Sequence, residues 1–296
     1  LRALLECQRK RKAEMIFSRP LTEIVQRRRS CRTFLPQTVE QGTLDLIREG
    51  FLPPPSPLPP PSRFTLLDRR DPALENLSLK GSYGLIRNDR FFLTASLSPA
   101  LPHSWEGFGF ALERSVLQMT DVNLGSCWLG GIFDRSALSR YLGLQEGESI
   151  PAVIALGLPA QDQTLRDRFL RWSSKGDQRK PWPELFFLPD GAPLPPEESG
   201  PWREALSNLR LAPSASNKQP WRALLNGKSL HLFLRRDPLL DSLRKRADLQ
   251  ALDMGIALCH LWLTLEEGGL FPSLAATPVP PPPSHPEWEY RLTLSL

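Results

Sequence analysis

Proline constrains this chain more than any other residue type. Twenty of its 31 prolines fall in three clusters: seven between Pro53 and Pro61, seven between Pro181 and Pro201, and six between Pro278 and Pro286. Proline has no N–H to give a helix or a ladder, and its ring clashes with the preceding turn. Each cluster is therefore expected to be a loop or an extended connector. The middle one divides the 296 residues into a longer segment, about Leu21 to Ala160, and a shorter one, Trp202 to Leu296. The expected organisation is an N-terminal extension (1–18), a first half (19–160), a proline-rich and basic connector (161–200) and a second half (201–296).

Between the clusters the periodicity is mixed. Leu21 to Gln26 and Val39 to Glu49 read as helices. Arg63 to Leu67 and Phe91 to Leu97 read as strands, and Ala152 to Leu156 as a short buried one. Phe108 to Leu124 is a long helix, with Leu112, Val116, Leu117 and Met119 at helical spacing, and Leu249 to Glu267 is a second. Trp221 to Leu225 and Leu230 to Leu234 flank Asn226-Gly227, a dipeptide suited to a hairpin turn. Tyr290 to Leu296 alternates as a final strand. The fold class is α+β, each half a mixed, mostly antiparallel sheet flanked by helices.

The two segments align with one another. Pro55-Ser56 and the residues through Leu67 match Pro213-Ser214 and the residues through Leu225 without a gap, each following a helix and running into a strand. Gly109-Phe110-Ala111-Leu112 also matches Gly255-Ile256-Ala257-Leu258. The implied architecture is a fused pair of related subunits.

Composition removes several function classes. The longest apolar stretch, Gly255 to Leu265 around His260, falls short of the ~20 residues that span a bilayer, and no secretory pattern is visible, so the expectation is a soluble cytoplasmic protein without membrane partners. Cys7, Cys31, Cys127 and Cys259 have no metal-ligand spacing, and the four histidines are scattered; no metal is expected. The net charge of +5 owes much to Arg9-Lys10-Arg11-Lys12. A start at Met15 would leave +2, too little to argue for nucleic acid. Pro278 to Pro283 could serve a polyproline-binding partner, although such runs are commonly linkers.

Two stretches carry recognisable chemistry. In Arg28-Arg29-Ser30-Cys31-Arg32 alternate side chains of an extended segment point the same way, so Arg28, Ser30 and Arg32 converge as two guanidinium forks and a hydroxyl, suited to a phosphate and an anionic ring. A solvated basic run is the plainer alternative. In Ala212-Pro213-Ser214-Ala215-Ser216-Asn217-Lys218-Gln219-Pro220-Trp221, prolines fix a loop that presents Ser214, Asn217 and backbone amides; a plain helix-to-strand turn is the alternative.

Together these stretches resemble the nitroreductase family of flavin enzymes, whose members carry RxSxR after an N-terminal helix and PSxxNxQPW before a core strand. Three further elements share the resemblance: Leu124 to Phe133, with Gly130-Gly131; Ile150 to Gly157; and Arg179-Lys180-Pro181-Trp182. The subgroup most resembled is that of single-chain, tandem nitroreductase-like proteins. The resemblance implies a nitroreductase-like fold and FMN between the halves. Arg28 and Arg179 or Lys180 would hold the phosphate. Ser30 and Arg32 would lie along the ribityl chain and the pyrimidine edge. Pro213, Ser214 and Asn217 would come from the other half, and a backbone amide among Leu129, Gly130 and Gly131 would lie near N5.

The expected activity is NADH- or NADPH-dependent reduction of an electron-poor small molecule, a nitroaromatic or quinone, by ping-pong exchange, with no catalytic side chain beyond the flavin. A non-catalytic flavin-binding protein, or a flavin enzyme of the same fold with other chemistry, are the alternatives. The pairing of Arg28, Ser30 and Arg32 with Pro213, Ser214 and Asn217 is complete. The reciprocal pairing lacks Asn and Gln, replaced by Pro59 and Pro61, and has no RxSxR ahead of Trp202. One flavin per chain is therefore expected, in a pseudo-dimer for which a monomeric state suffices.

Overall fold

The computed structural model describes residues 17–50, 56–74, 86–130, 133–160, 178–242, 244, 246–275 and 279–296. Expectations that fall on the N-terminal extension before residue 17, on Pro53 to Pro55, on Gly131, on residues 161–177 of the connector and on Pro278 lie outside them.

Two sheets are present. The first contains β1 (Ser62–Asp68), β2 (Phe91–Ser96), β3 (Gly125–Leu129) and β4 (Val153–Gly157) in the order β1-β2-β4-β3, every pair antiparallel. The second contains β5 (Phe186–Phe187), β6 (Trp221–Asn226), β7 (Ser229–Leu234), β8 (Ser273–Ala275) and β9 (Glu289–Ser295). Its order is β5-β6-β7-β9-β8, with only the β5–β6 pair parallel. Apart from β5, contributed by the connector, the second sheet repeats the strand order of the first. All residues of β2 and β4 are buried, which is why neither alternates between apolar and polar residues.

The helices are α1 (Leu21–Arg27), α2 (Gln41–Gly50), α3 (Ser104–Asp121), α4 (Arg135–Tyr141), α5 (Arg203–Leu211), α6 (Pro238–Asp241) and α7 (Leu249–Glu267). α3 and α7 cross at the centre, inside a core that runs from Ile24, Phe110 and Ile154 to Leu206, Leu230 and Ile256. Two glycines set how closely they cross. A Cβ on Gly109 would lie 2.1 Å from the carbonyl oxygen of Leu252, and one on Gly255 would lie 1.9 Å from that of Glu106. The contact is reciprocal: each glycine faces the residue three positions ahead of the other, as at an isologous interface. Both helices also end alike. Asn123 and Gly269 take positive φ, 61° and 76°, and Leu124 and Leu270 return their N–H groups to Met119 and Leu265 at 2.8 Å, a Schellman-type closure.

Two expectations are corrected by the fold. The first long helix spans 104–121 rather than 108–124, because the chain turns left-handed at Asn123. The β6–β7 turn is centred on Gly227-Lys228, with Asn226 paired to Ser229. Of the expected Asn-Gly pair only Gly227 has positive φ, 58°, so it takes the first central position, the one that must be left-handed in a type II′ turn.

Candidate functional site

α7 supplies a scale along which the expected site residues can be placed. At its C-terminal end Glu267 accepts the Leu21 N–H at 2.9 Å, so α1 begins there. About two turns back His260 bonds Glu113 Oε1 at 2.9 Å and the Asn208 carbonyl at 3.1 Å. Two further turns back Asp253 accepts the Ala215 N–H on both oxygens, at 3.0 and 3.1 Å. At the N-terminal end Leu249 packs against Gly130. α1 and α5 therefore run side by side, both antiparallel to α7 and joined where Asn208 donates to Thr22 at 2.8 Å. α1 leads directly into Arg28-Ser30-Arg32, and α5 into Pro213-Ser214-Asn217. Both stretches emerge in the same direction along one helix.

The first stretch is extended, with Ser30 bridged to Ser126 and the Cys31 N–H on the Ser126 carbonyl at 2.8 Å. Arg28 is half-buried, and its Nε has no hydrogen-bond partner. Burial pushes its guanidinium below the ordinary value, while the charges of Glu113 and Cys127 act the other way. Burial pushes the Cys127 thiol up, and Arg32 and Arg28 pull it down; both arginines thus lie near one residue of β3. Glu113, wholly buried, also accepts the Trp128 indole N–H at 2.7 Å.

The second stretch is held in an unusual backbone. Ser216, Asn217 and Gln219 have φ of 49°, 54° and 48°, a region that non-glycine residues enter at a cost and that marks functional loops. Several bonds maintain it. Ser214 Oγ accepts the Gln219 N–H at 2.9 Å. Asn217 donates to the Gln178 carbonyl at 2.8 Å and accepts from Arg179 at 3.2 Å. Arg179 also donates to the Leu211 carbonyl at 3.1 Å, and the Lys180 N–H bonds Gln219 Oε1 at 2.8 Å. The connector is thereby laced to the loop.

Of the expected residues, Ser214, Asn217, Arg179 and Lys180 lie in one hydrogen-bonded group with Pro213 at its entry, Arg28, Ser30 and Arg32 lie on the stretch beside β3, and Leu129 and Gly130 lie at the end of β3 against α7. Gly131 lies outside the described residues. A cavity of about 270 Å³ is lined by Phe34, Val39, Arg69, Asp89, Arg90 and other residues of the first half. None of the expected site residues lines it, although Phe34, two residues after Arg32, does.

Sequence reading missed Asp253 and Glu113. Asp253 interrupts an otherwise apolar helix seven residues before His260, on the same face, and that interruption was the available signal. Burial pushes the Asp253 carboxyl well above the usual carboxylate range; the Ala215 N–H acts against this, and Asp248 and Glu113 reinforce it. The folded chain therefore holds a proton that the unfolded chain releases at about pH 4, and this contribution to stability is lost as pH rises from there toward the folded value. Asn cannot ionise but still accepts the Ala215 N–H. In thermal melts from pH 4.5 to 8, Asp253→Asn is expected to gain stability relative to the wild type as pH rises; a difference that shrinks with pH would contradict the assignment.

A family model described as "Putative TM nitroreductase" matches residues 20–265. A solved Thermotoga maritima protein described as a nitroreductase is 19% identical, with 94% of each chain covered and a TM-score of 0.56. A Desulfovibrio desulfuricans protein described as a nitroreductase in complex with FMN is 26% identical over 51% of this chain and 95% of its own, with a TM-score of 0.42. An FMN-dependent nitroreductase of Clostridium difficile is 23% identical over 47% and 88%, with a TM-score of 0.40. No curated protein matches. Among the described residues no helix is long and apolar enough to cross a membrane.

Proposed function

The chain belongs to the Putative TM nitroreductase family, and from that premise we propose that it is an FMN-dependent oxidoreductase with one flavin site between two related halves. When bound, FMN supplies a hydride acceptor and donor at N5, between NADH or NADPH and an electron-poor acceptor such as a nitroaromatic or quinone. One observation carries the reading: Arg28, a half-buried guanidinium with an orphaned Nε, follows α1, which is joined at Thr22 to α5, the helix that leads into the strained polar loop. An anionic cofactor gives that nitrogen its missing acceptor.

The residues then divide the work. Arg28 and Arg179 hold the phosphate, as charge-assisted donors in fork geometry. Arg179 is preferred to Lys180 because its guanidinium already faces Asn217. Ser30 and Arg32 follow the ribityl chain and the pyrimidine edge, where a fixed cation stabilises negative charge without reorganisation. Ser214 and Asn217 present polar groups from the second half, pinned by Asp253, while Pro213 fixes the loop's entry. Leu129 and Gly130 bring backbone close to the ring.

The single-site aspect is supported by a difference between the halves. The repeated strand order and the reciprocal crossing at Gly109 and Gly255 favour descent from one duplicated unit. Two residues before Gly255 stands Asp253, holding the loop at Ala215. Two residues before Gly109 stands Gly107, where a Cβ would lie 2.0 Å from the Pro59 carbonyl oxygen. There the proline loop is packed down on the helix, with Leu58 buried, and occupies the space that Asp253 and its loop frame on the other side. Purified protein is expected to be yellow, with about one FMN per chain, and to oxidise NADH or NADPH when menadione or a nitrofuran is supplied. Failure to take up FMN on titration would end the reading; uptake without turnover would leave a flavin-binding protein.

A further inference from the structure

The outer face of the second sheet carries cations that no carboxylate bonds among the described residues. Arg222 and Leu224 are two apart on β6 and so share a face, the one occupied by Phe187, Phe233 and Trp288. Arg222 is 1% exposed. Its Nη1 donates only to the carbonyls of Gln219 and Trp221, at 3.1 and 2.6 Å.

Two more cations gather around Gln219-Pro220. Lys180 bonds Gln219 through its N–H, and Arg235 bonds the Pro220 carbonyl through its N–H at 2.8 Å. Three segments, one ahead of β5, one in β6 and one just after β7, thus carry one cation each to the neighbourhood of Gln219-Pro220, Arg222 buried, Lys180 half-buried and Arg235 exposed. The charges act on each other. Burial, then Arg222 and Arg235, push the Lys180 amine down to about 8; burial, then Arg235, pushes Arg222 down to about 10. Glu184 and Glu287 temper Arg222, and Glu184 and Asp237 temper Lys180, without bonding either. Asp237 is engaged by Lys218 at 2.8 Å. In the same layer the Trp288 indole N–H is buried with no acceptor, its ring stacked on His285 at 4.1 Å.

Burying a guanidinium without a counter-charge is unfavourable, and surrounding it with like charges makes it more so. Cations from separate segments converging without acid partners are the arrangement a bound oxyanion satisfies. We propose that Lys180, Arg222 and Arg235 form a binding site for a phosphate group, distinct from the flavin site. Arg179, one residue away, turns instead to Leu211 and Asn217. The planar fork of Arg222 and the point charge of Lys180 suit a tetrahedral, multiply charged oxyanion.

The test uses flavin-loaded protein and inorganic phosphate, with sodium chloride at matched ionic strength as control. Phosphate is expected to raise the melting temperature saturably and beyond chloride, and Arg235→Gln to weaken phosphate about tenfold while flavin content stays the same. Arg222→Met removes the buried charge; it is expected to melt higher than the wild type in phosphate-free buffer and to lose the phosphate response. A response equal to that of chloride, or one unchanged in both variants, overturns the proposal. The flavin reading stands or falls on its own titration.

Discussion

Arg28→Ala is expected to weaken FMN binding by roughly 10- to 150-fold, the equivalent of losing a charge-assisted hydrogen bond worth about 1.5–3 kcal/mol. The same change should leave the flavin-free protein as stable as before or slightly more so, because it removes a half-buried charge whose Nε has no partner. Arg63→Ala is the control. Arg63 sits at the position aligned with the second half's Trp221 and makes an exposed pair with Glu148 at 3.0 Å, the kind of contact worth under about 1 kcal/mol. Its loss should not change flavin affinity. Fluorescence titration of both variants, with melts of the flavin-free forms, gives the comparison; equal losses would refute the one-site assignment.

The second large effect concerns the crossing of the central helices. Gly255→Ala is expected to cost about 3 kcal/mol or more, at the upper end of overpacking effects, and to lower the melting temperature by about 6–12 °C. The added Cβ would meet a backbone oxygen at 1.9 Å, so no rotamer change relieves it and α3 and α7 must separate. Gly109→Ala should behave alike, since its contact is the reciprocal one. Gly42→Ala, in α2, has nothing within 4 Å of the added atom and should be neutral or mildly stabilising, because alanine is the better helix former. Melting Gly255→Ala no lower than Gly42→Ala would mean that the helices do not depend on this close approach.

Much of the architecture is legible in local pattern. α7 is a largely apolar run broken by Gln250, Asp253 and His260, β6 and β7 are leucine-rich stretches flanking a glycine turn, and the proline clusters fall outside both. These signals are intrinsic to a few neighbouring residues, and the chain obeys them. β3 was not visible as a strand. Gly125-Ser126-Cys127-Trp128-Leu129 alternates weakly, and it becomes a strand because β4 and the Ser30 segment offer it partners. The two polar stretches of the site were legible as stretches. Which of their neighbours would hold them was not.

What the amino-acid order alone determined is the set of parts: the longer helices, most of the strands, and the arginine-rich and serine/asparagine stretches. Each rests on spacing of 2 or 3.6 residues, or on residue types whose backbone freedom is fixed covalently. What only the tertiary structure decided is which parts share a neighbourhood. The pinning of Ala215 by Asp253, the orphaned Nε of Arg28, the proline loop pressed on Gly107 and the gathering of Lys180, Arg222 and Arg235 all join residues from separate elements. Burial gives those meetings their energetic meaning, since a charge or carboxyl that would be ordinary in water becomes costly once helices and sheets close around it.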